Sequence, residues 1–201
     1  MSAQQPVTEK IAALRATLEA YAAGDIPQQL FDPVAEQAKS KVRNRALRLL
    51  DERARSRHEL RQRLLDAEFP SDVVDVVLDD MAAAKLIDDA HFAYEWVRQR
   101  HERRGKSARV LDQELISKGV AAVHRQAALE QISMEMEQAT ARELAMKKAK
   151  TVKSIPSSYA EKQKLLRRII GVLVRRGFPS GMAMENANEA LESRLQELED
   201  S

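Results

Sequence analysis

The chain has 201 residues, of which 4% are aromatic and 32% charged, with a formal net charge of +2 and no cysteine. So few aromatics exclude a single thick core and favour thin helical layers with large charged surfaces; the missing thiols exclude a disulfide framework and thiolate metal sites. No apolar run approaches the roughly 20 residues that span a bilayer, and residues 1–6 lack the basic and apolar regions of a secretory leader, so a cytoplasmic protein without a membrane partner is expected.

In residues 1–40, Ile11, Leu14, Leu18 and Tyr21 form one helical stripe that ends at Gly24, and a flexible stretch is expected over 27–33. This segment reads as a helical or partly disordered N-terminal arm. A helix is predicted over 42–54. Ser56 opens the next, with Glu59 three residues on as a capping box in which each side chain satisfies a free backbone amide. Leu60 and Leu64 share one face of it, and Phe69-Pro70-Ser71 makes a turn. Val74, Val77, Leu78 and Met81 recur at helical spacing. The valines there have strand propensity, but they do not alternate, and acids crowd the helix start, where the dipole favours them.

Asp88 is placed as the N-cap of a helix that carries Phe92 and Trp96 and ends at Gly105. Leu111 and Leu115 mark another, closed by Gly119, and a longer helix is expected through Ile132. A Lys-rich stretch after Met146 leads to a loop over 154–158. Leu165, Ile169, Val172 and Leu173 then form a helix ended by Gly177, and a last helix runs over 182–198. Gly171 is the one glycine inside a helical pattern.

These segments can be overlaid. Leu60 to Leu64 precedes Phe69-Pro70, Leu111 to Leu115 precedes Gly119-Val120, and Ile169 to Leu173 precedes Gly177-Phe178-Pro179. Leu64, Leu115 and Leu173 lie 51 and 58 residues apart. Each block reads helix, turn, helix, turn, helix, and no block is large enough to bury its faces alone. The predicted fold is all-α: an elongated array of three tandem three-helix repeats over 41–86, 87–136 and 137–201, preceded by the arm over 1–40.

Charge alternates along this array. Residues 41–63 hold nine Lys/Arg and three acids, and residues 147–176 hold ten and one, so a local cationic footprint exists despite near-zero net charge. Cations recur at the same junction of each repeat. In the first these are Arg53, Arg55, Arg57, Arg61 and Arg63, and in the second Arg98, Arg100, Arg103, Arg104, Lys106 and Arg109. In the third they are Lys147, Lys148, Lys150 and Lys153, followed by Lys162, Lys164, Arg167 and Arg168. A row of cations suits a polyanion or an acidic groove, and arginine favours forked contacts to phosphate or carboxylate. The acidic run over 66–95 reads either as a solvated face or as a patch for a basic partner.

Catalytic and ligand motifs fail at named positions. Gly105-Lys106-Ser107 resembles the end of a phosphate-binding loop, but Arg100 stands where that loop needs glycine, and the preceding segment is helical; the pattern reads as a helix end followed by a helix start. His58-Glu59 and His101-Glu102 would need histidine where Gln62 and Gly105 stand to form a zinc-protease helix. Asp79, Asp80, Asp88 and Asp89 lack the alternation and turn glycine of a calcium loop. No cofactor, metal or enzymatic activity is expected. Trp96, four residues after Phe92, is read as a core anchor rather than an exposed base-stacking platform.

The same residues resemble the RecX family. Ala46-Leu47 followed by Arg53-Ala54-Arg55-Ser56-Arg57, Glu59-Leu60 and Leu64 is similar to its opening motif. Leu86-Ile87-Asp88-Asp89 with Phe92-Ala93 is similar to its second, and Gly105, Glu114-Leu115 and Lys118-Gly119-Val120 to its third. The resemblance is strongest over 43–135, continues to Gly177-Phe178, and leaves out the arm. It implies a regulator of the RecA recombinase that lies in the groove of the filament on single-stranded DNA. Such a regulator suppresses ATP hydrolysis, strand exchange and filament growth, and so bears on DNA repair and the SOS response. The partners implied are the RecA filament, with single- and double-stranded DNA as further candidates, and a monomer is expected. Arg55, Arg57, Arg61, Arg98, Arg104, Arg109, Lys162 and Arg167 are the expected filament or DNA contacts, chosen from charge clustering. The alternative is an independent helix-turn-helix-like DNA-binding protein, although no helix carries a concentrated Arg, Asn and Gln face for base readout.

Overall fold

The computed structural model describes residues 33–200, together with Arg15, Ala16 and Glu19; the stripe Ile11, Leu14, Leu18 and Tyr21 lies outside the described residues. Proline fixes a helical φ and lacks an amide that the first turn could not use, so it suits a first helical position. Accordingly α1 (Pro33–Glu52) starts at Pro33, and residues 33–40, expected in the arm, extend the first helix of the array. Next come α2 (Arg57–Leu65) and α3 (Ser71–Ala83), then α4 (Asp89–Arg104), α5 (Ala108–Ser117) and α6 (Ala122–Leu129). The array closes with α7 (Met134–Ala149), α8 (Tyr159–Arg175) and α9 (Ser180–Glu199), and the described residues contain no strand.

Caps set these boundaries. Ser56 and Glu59 form the reciprocal box at the start of α2, and the Asp88 carboxylate accepts the His91 amide at the start of α4. Ser107 caps α5 and Gly105 ends α4, so Gly105-Lys106-Ser107 is a helix end followed by a helix start. The expected helix through Ile132 stops at Leu129. There the Gln131 side chain donates to the Ala128 carbonyl, and Ser133 already caps α7.

Each repeat owns a core. Val42, Ala46, Leu49, Leu60, Leu64, Val74, Val77, Leu78 and Met81 close the first, and Phe92, Val97, Leu111, Leu115 and Ala128 the second. In the third, Ala141, Ala145 and Ala149 of α7 belong to one cluster with Ala183, Ala187 and Ala190 of α9, which lets the two helices approach closely. Leu64, Leu115 and Leu173 occupy the same place in the three repeats and are fully buried. Truncating any one to alanine costs about 2–5 kcal/mol.

Equivalent residues also join the repeats. The turn after each second helix passes through a left-handed residue: Glu68 (φ 61), Gly119 (φ 68) and Gly177 (φ 92). In each, the next amide returns to the buried leucine carbonyl: Phe69 to Leu64, Val120 to Leu115, Phe178 to Leu173. The Gly119 turn seats against the start of α2, where Ser56 Oγ donates to the Lys118 carbonyl at 2.6 Å. The Gly177 turn seats against the start of α5, where the Ser107 amide donates to the Arg176 carbonyl at 3.0 Å. A Cβ on Gly119 would lie 2.4 Å from His58 Cβ, and one on Gly177 would lie 2.2 Å from Val110 Cγ2. Both glycines therefore serve conformation and close approach together. Carboxylates complete each joint: Asp89 accepts the Arg57 amide at 2.8 Å, and Glu137 accepts the Ala108 amide at 2.7 Å.

Candidate cationic interface

The nominated cations divide by what they already bind. Arg55 is 8% exposed, with Nε donating to the Leu49 carbonyl at 2.9 Å and the guanidinium 2.7 Å from Glu52. Arg57 pairs with Asp79 at 2.8 Å, and Arg61 grips both oxygens of Asp75 at 2.7 and 3.0 Å, so both stitch α2 to α3. Arg98 links Glu95 and Glu102 along α4, and hydrogen bonds from Arg98 and Gln99 hold the Glu95 carboxyl at about 2. Arg109 donates to the Gly177 carbonyl at 3.3 Å across the second joint. Arg104, Lys162 and Arg167 have no side-chain ion pair among the described residues. Within the acidic run over 66–95, Asp75, Asp79 and Asp80 face Arg61, Arg57 and Arg43 of their own repeat. Part of that run is thus internal counter-charge.

A continuous ion network crosses the first joint. Glu59 takes Arg53 at 3.0 Å and Lys118 at 2.8 Å. Burial by itself pushes the Glu59 carboxyl up, but hydrogen bonds from Arg53 and Lys118 outweigh it and hold the group at about 2. Lys118 Nζ also lies 4.2 Å from the Trp96 ring centroid, and Arg100 stacks on the same ring at 3.6 Å. Trp96 Nε1 donates to Glu114 at 2.9 Å, and Glu114 also takes Lys106 and Arg100. Trp96 meets the anchor reading in part: it packs against the second core with its polar edge satisfied, but is only half-buried and lines a surface depression with Phe92 and Gln99.

The third repeat differs. Lys148 of α7 and Lys164, Arg167, Arg168 and Arg175 of α8 line a groove of about 500 Å³. None of the five makes a side-chain ion pair among the described residues. The groove runs into a second depression of about 340 Å³, where Lys164 and Arg168 meet the loop residues Lys153 and Ser154 and the carboxylate of Glu161, which lies within the field of Lys164. Of the nominated contacts, Arg167 lies here. Lys148, Lys164 and Arg168 belong to the basic run read from the sequence without being nominated, and Arg175 was not singled out. The signal was present: Lys164, Arg168 and Arg175 recur at i, i+4 and i+11, one face of a helix. No metal-binding cluster of His, Asp or Glu occurs among the described residues, and none of their helices is long and apolar enough to cross a membrane.

Together these features define an all-helical tandem-repeat protein whose unneutralised cations gather on its third unit. Three family domains match in chain order: RecX, first three-helix domain, over residues 43–81; RecX, second three-helix domain, over 88–129; and RecX, third three-helix domain, over 135–185. The chain is 51% identical over 192 residues to Regulatory protein RecX of Corynebacterium efficiens, covering 94% of this chain and 91% of that one. It is 36% identical to Regulatory protein RecX of Streptomyces coelicolor, covering 84% of each. In fold it matches the crystal structure of RecX from Lactobacillus salivarius with a TM-score of 0.65 at 22% identity, over 77% of this chain and 97% of that one. A further crystal structure of regulatory protein RecX matches with a TM-score of 0.62 at 23% identity, over 80% and 74%. The chain belongs to the RecX family of regulatory proteins.

Proposed function

We propose that this protein binds the RecA filament on single-stranded DNA and suppresses its ATP hydrolysis, strand exchange and growth, acting as a cytoplasmic monomer in the control of DNA repair and the SOS response. The observation that carries the reading is the ordered match of all three repeats to a family of regulatory proteins. The charge distribution supports it. Cations held in internal pairs gain little by exchanging one carboxylate for another. Free cations gain both the new contact and the release of counterions. Arg104, Lys162 and Arg167 are therefore the strongest of the nominated filament or DNA contacts. Arg55, Arg57, Arg61, Arg98 and Arg109 act first on the scaffold.

The test is RecA ATP hydrolysis on single-stranded DNA with this protein titrated from well below stoichiometric amounts. Suppression far below one protein per recombinase subunit supports capping of a growing end. Suppression only near equivalence supports occupation of the groove. No effect at any ratio, with folded protein and recombinase from one source, overturns the reading.

A further inference from the structure

Lys164, Arg168, Gly171 and Arg175 stand at i, i+4, i+7 and i+11 of α8. At 3.6 residues per turn they fall within an arc of roughly 60° and span about 16 Å of helix. Three positions of this stripe are cations, and the fourth is a glycine in the interior of a helix. Glycine there destabilises a helix relative to alanine, so its presence calls for a local reason. The structure supplies one: a Cβ at 171 would stand 3.1 Å from Arg175 Nη1. Without that methyl, the Arg175 guanidinium folds back over the Gly171 backbone, with Nη1, Cζ and Nη2 at 3.1, 3.9 and 4.0 Å from where a Cβ would stand.

The lining chemistry selects the ligand. The five groove residues are all cations, whereas a protein–protein contact needs a desolvated apolar or aromatic anchor near its centre. Arginine forks match phosphate oxygens in pairs, and lysine meets them as a point charge. Lys164, Arg168 and Arg175 form one file along α8. We infer that the α7–α8 groove of the third repeat is a seat for the phosphodiester backbone of a single nucleic-acid strand, with Gly171 leaving room for the Arg175 guanidinium that lines it. This inference deepens the filament reading above and rests on it for the choice of a nucleic acid among polyanions and of a single strand among nucleic acids.

The experiment is a salt titration of the full chain with labelled oligo(dT), followed by fluorescence anisotropy in the absence of recombinase. Each lost phosphate contact makes the log–log salt slope for a single strand shallower by about 0.7. The double variant Arg168→Gln/Arg175→Gln is therefore expected to lose about 1.4 of slope, and roughly tenfold in affinity at moderate salt. Lys39→Gln, on α1, leaves the slope unchanged. Gly171→Ala raises the melting temperature yet weakens binding, a combination that misfolding cannot produce. An unchanged slope in the double variant, or wild-type affinity in Gly171→Ala, overturns the seat; tighter binding to duplex of the same length overturns the single-strand assignment. Because recombinase is absent, these failures leave filament regulation to its own assay, and a failed recombinase assay leaves the seat standing.

Discussion

The two joints between repeats share a geometry and differ in chemistry. At both, a serine cap, a left-handed glycine turn and a carboxylate on the first helical amide hold one unit against the next. The first joint adds a charged network in which Lys118 reaches from the turn to Glu59 and covers Trp96. The second adds Val110 pressed close to Gly177, a long hydrogen bond from Arg109 and a contact of 3.3 Å between Thr140 and the buried His101. Repeat stacking thus depends on a backbone device common to both joints, and the side chains decide whether a joint responds to pH and salt. The first joint can be tuned by its solvent, whereas the second is governed by fit.

Substitution at the shared glycines carries the largest expected effect. Gly177→Ala combines a left-handed penalty of about 1–2 kcal/mol with overpacking against Val110 and Ser107 of about 1–3 kcal/mol. Thermal melts should then separate the third repeat into its own transition. Gly119→Ala should do the same to the first repeat, because His58 Cβ is fixed by the α2 backbone. At Glu68, which has the same left-handed φ, replacement by glycine should reverse the sign and stabilise by up to about 1 kcal/mol. Destabilisation there would sink the claim that fit, rather than the turn itself, demands glycine at the joints.

A smaller effect separates the ionic networks. Lys118→Met removes a charged hydrogen bond from a partly buried carboxylate and should cost about 1–2 kcal/mol. It should also alter Trp96 emission, since the cation over the ring is lost. Arg109→Met removes one contact of 3.3 Å and should cost under about 1 kcal/mol. Equal losses in the two variants would erase the distinction between the joints.

Acid gives the mildest test. Glu59 sits at about 2 in the folded chain against an ordinary 4.5. A depressed carboxylate contributes stability above its unfolded value and loses it as pH falls through the folded one. The first joint should therefore weaken as pH drops from about 4.5 towards 2, with Trp96 fluorescence reporting the change. In Lys118→Met the same signal should change at higher pH. An unaltered acid profile would remove Glu59 from the account.

Much of this fold was legible because its signals are local. Ser56 with Glu59, Asp88 and Gly105 act within one helical turn, and each takes the role its position predicted. Repeat spacing was legible because Leu64, Leu115 and Leu173 answer to the same burial. The start of α1 was not: Pro27 and Pro33 together read as a break, yet proline ends a helix only from inside and suits its first position. The fate of the arginines was not legible either. Arg61 and Asp75 are 14 residues apart and meet only because two helices pack side by side. A charge run in sequence cannot say which of its members the fold will neutralise. The stripe Lys164, Arg168, Gly171, Arg175 needed no tertiary contact to be found, only attention to the glycine in its midst.

The residue at position 68 also bears on a matter of number. A joint that works twice could work again, and a chain with equivalent joints at both ends would string together into open fibres. At one end of the array, Glu68 places a side chain where seating against another unit's helix start has no room for a Cβ. At the other end, the 58-residue step from Leu115 to Leu173, against 51 before it, lengthens α8 towards Tyr159, past the level at which α2 and α5 begin. One side chain and two extra helical turns thus set the free ends of the terminal repeats apart from the two joints inside the array.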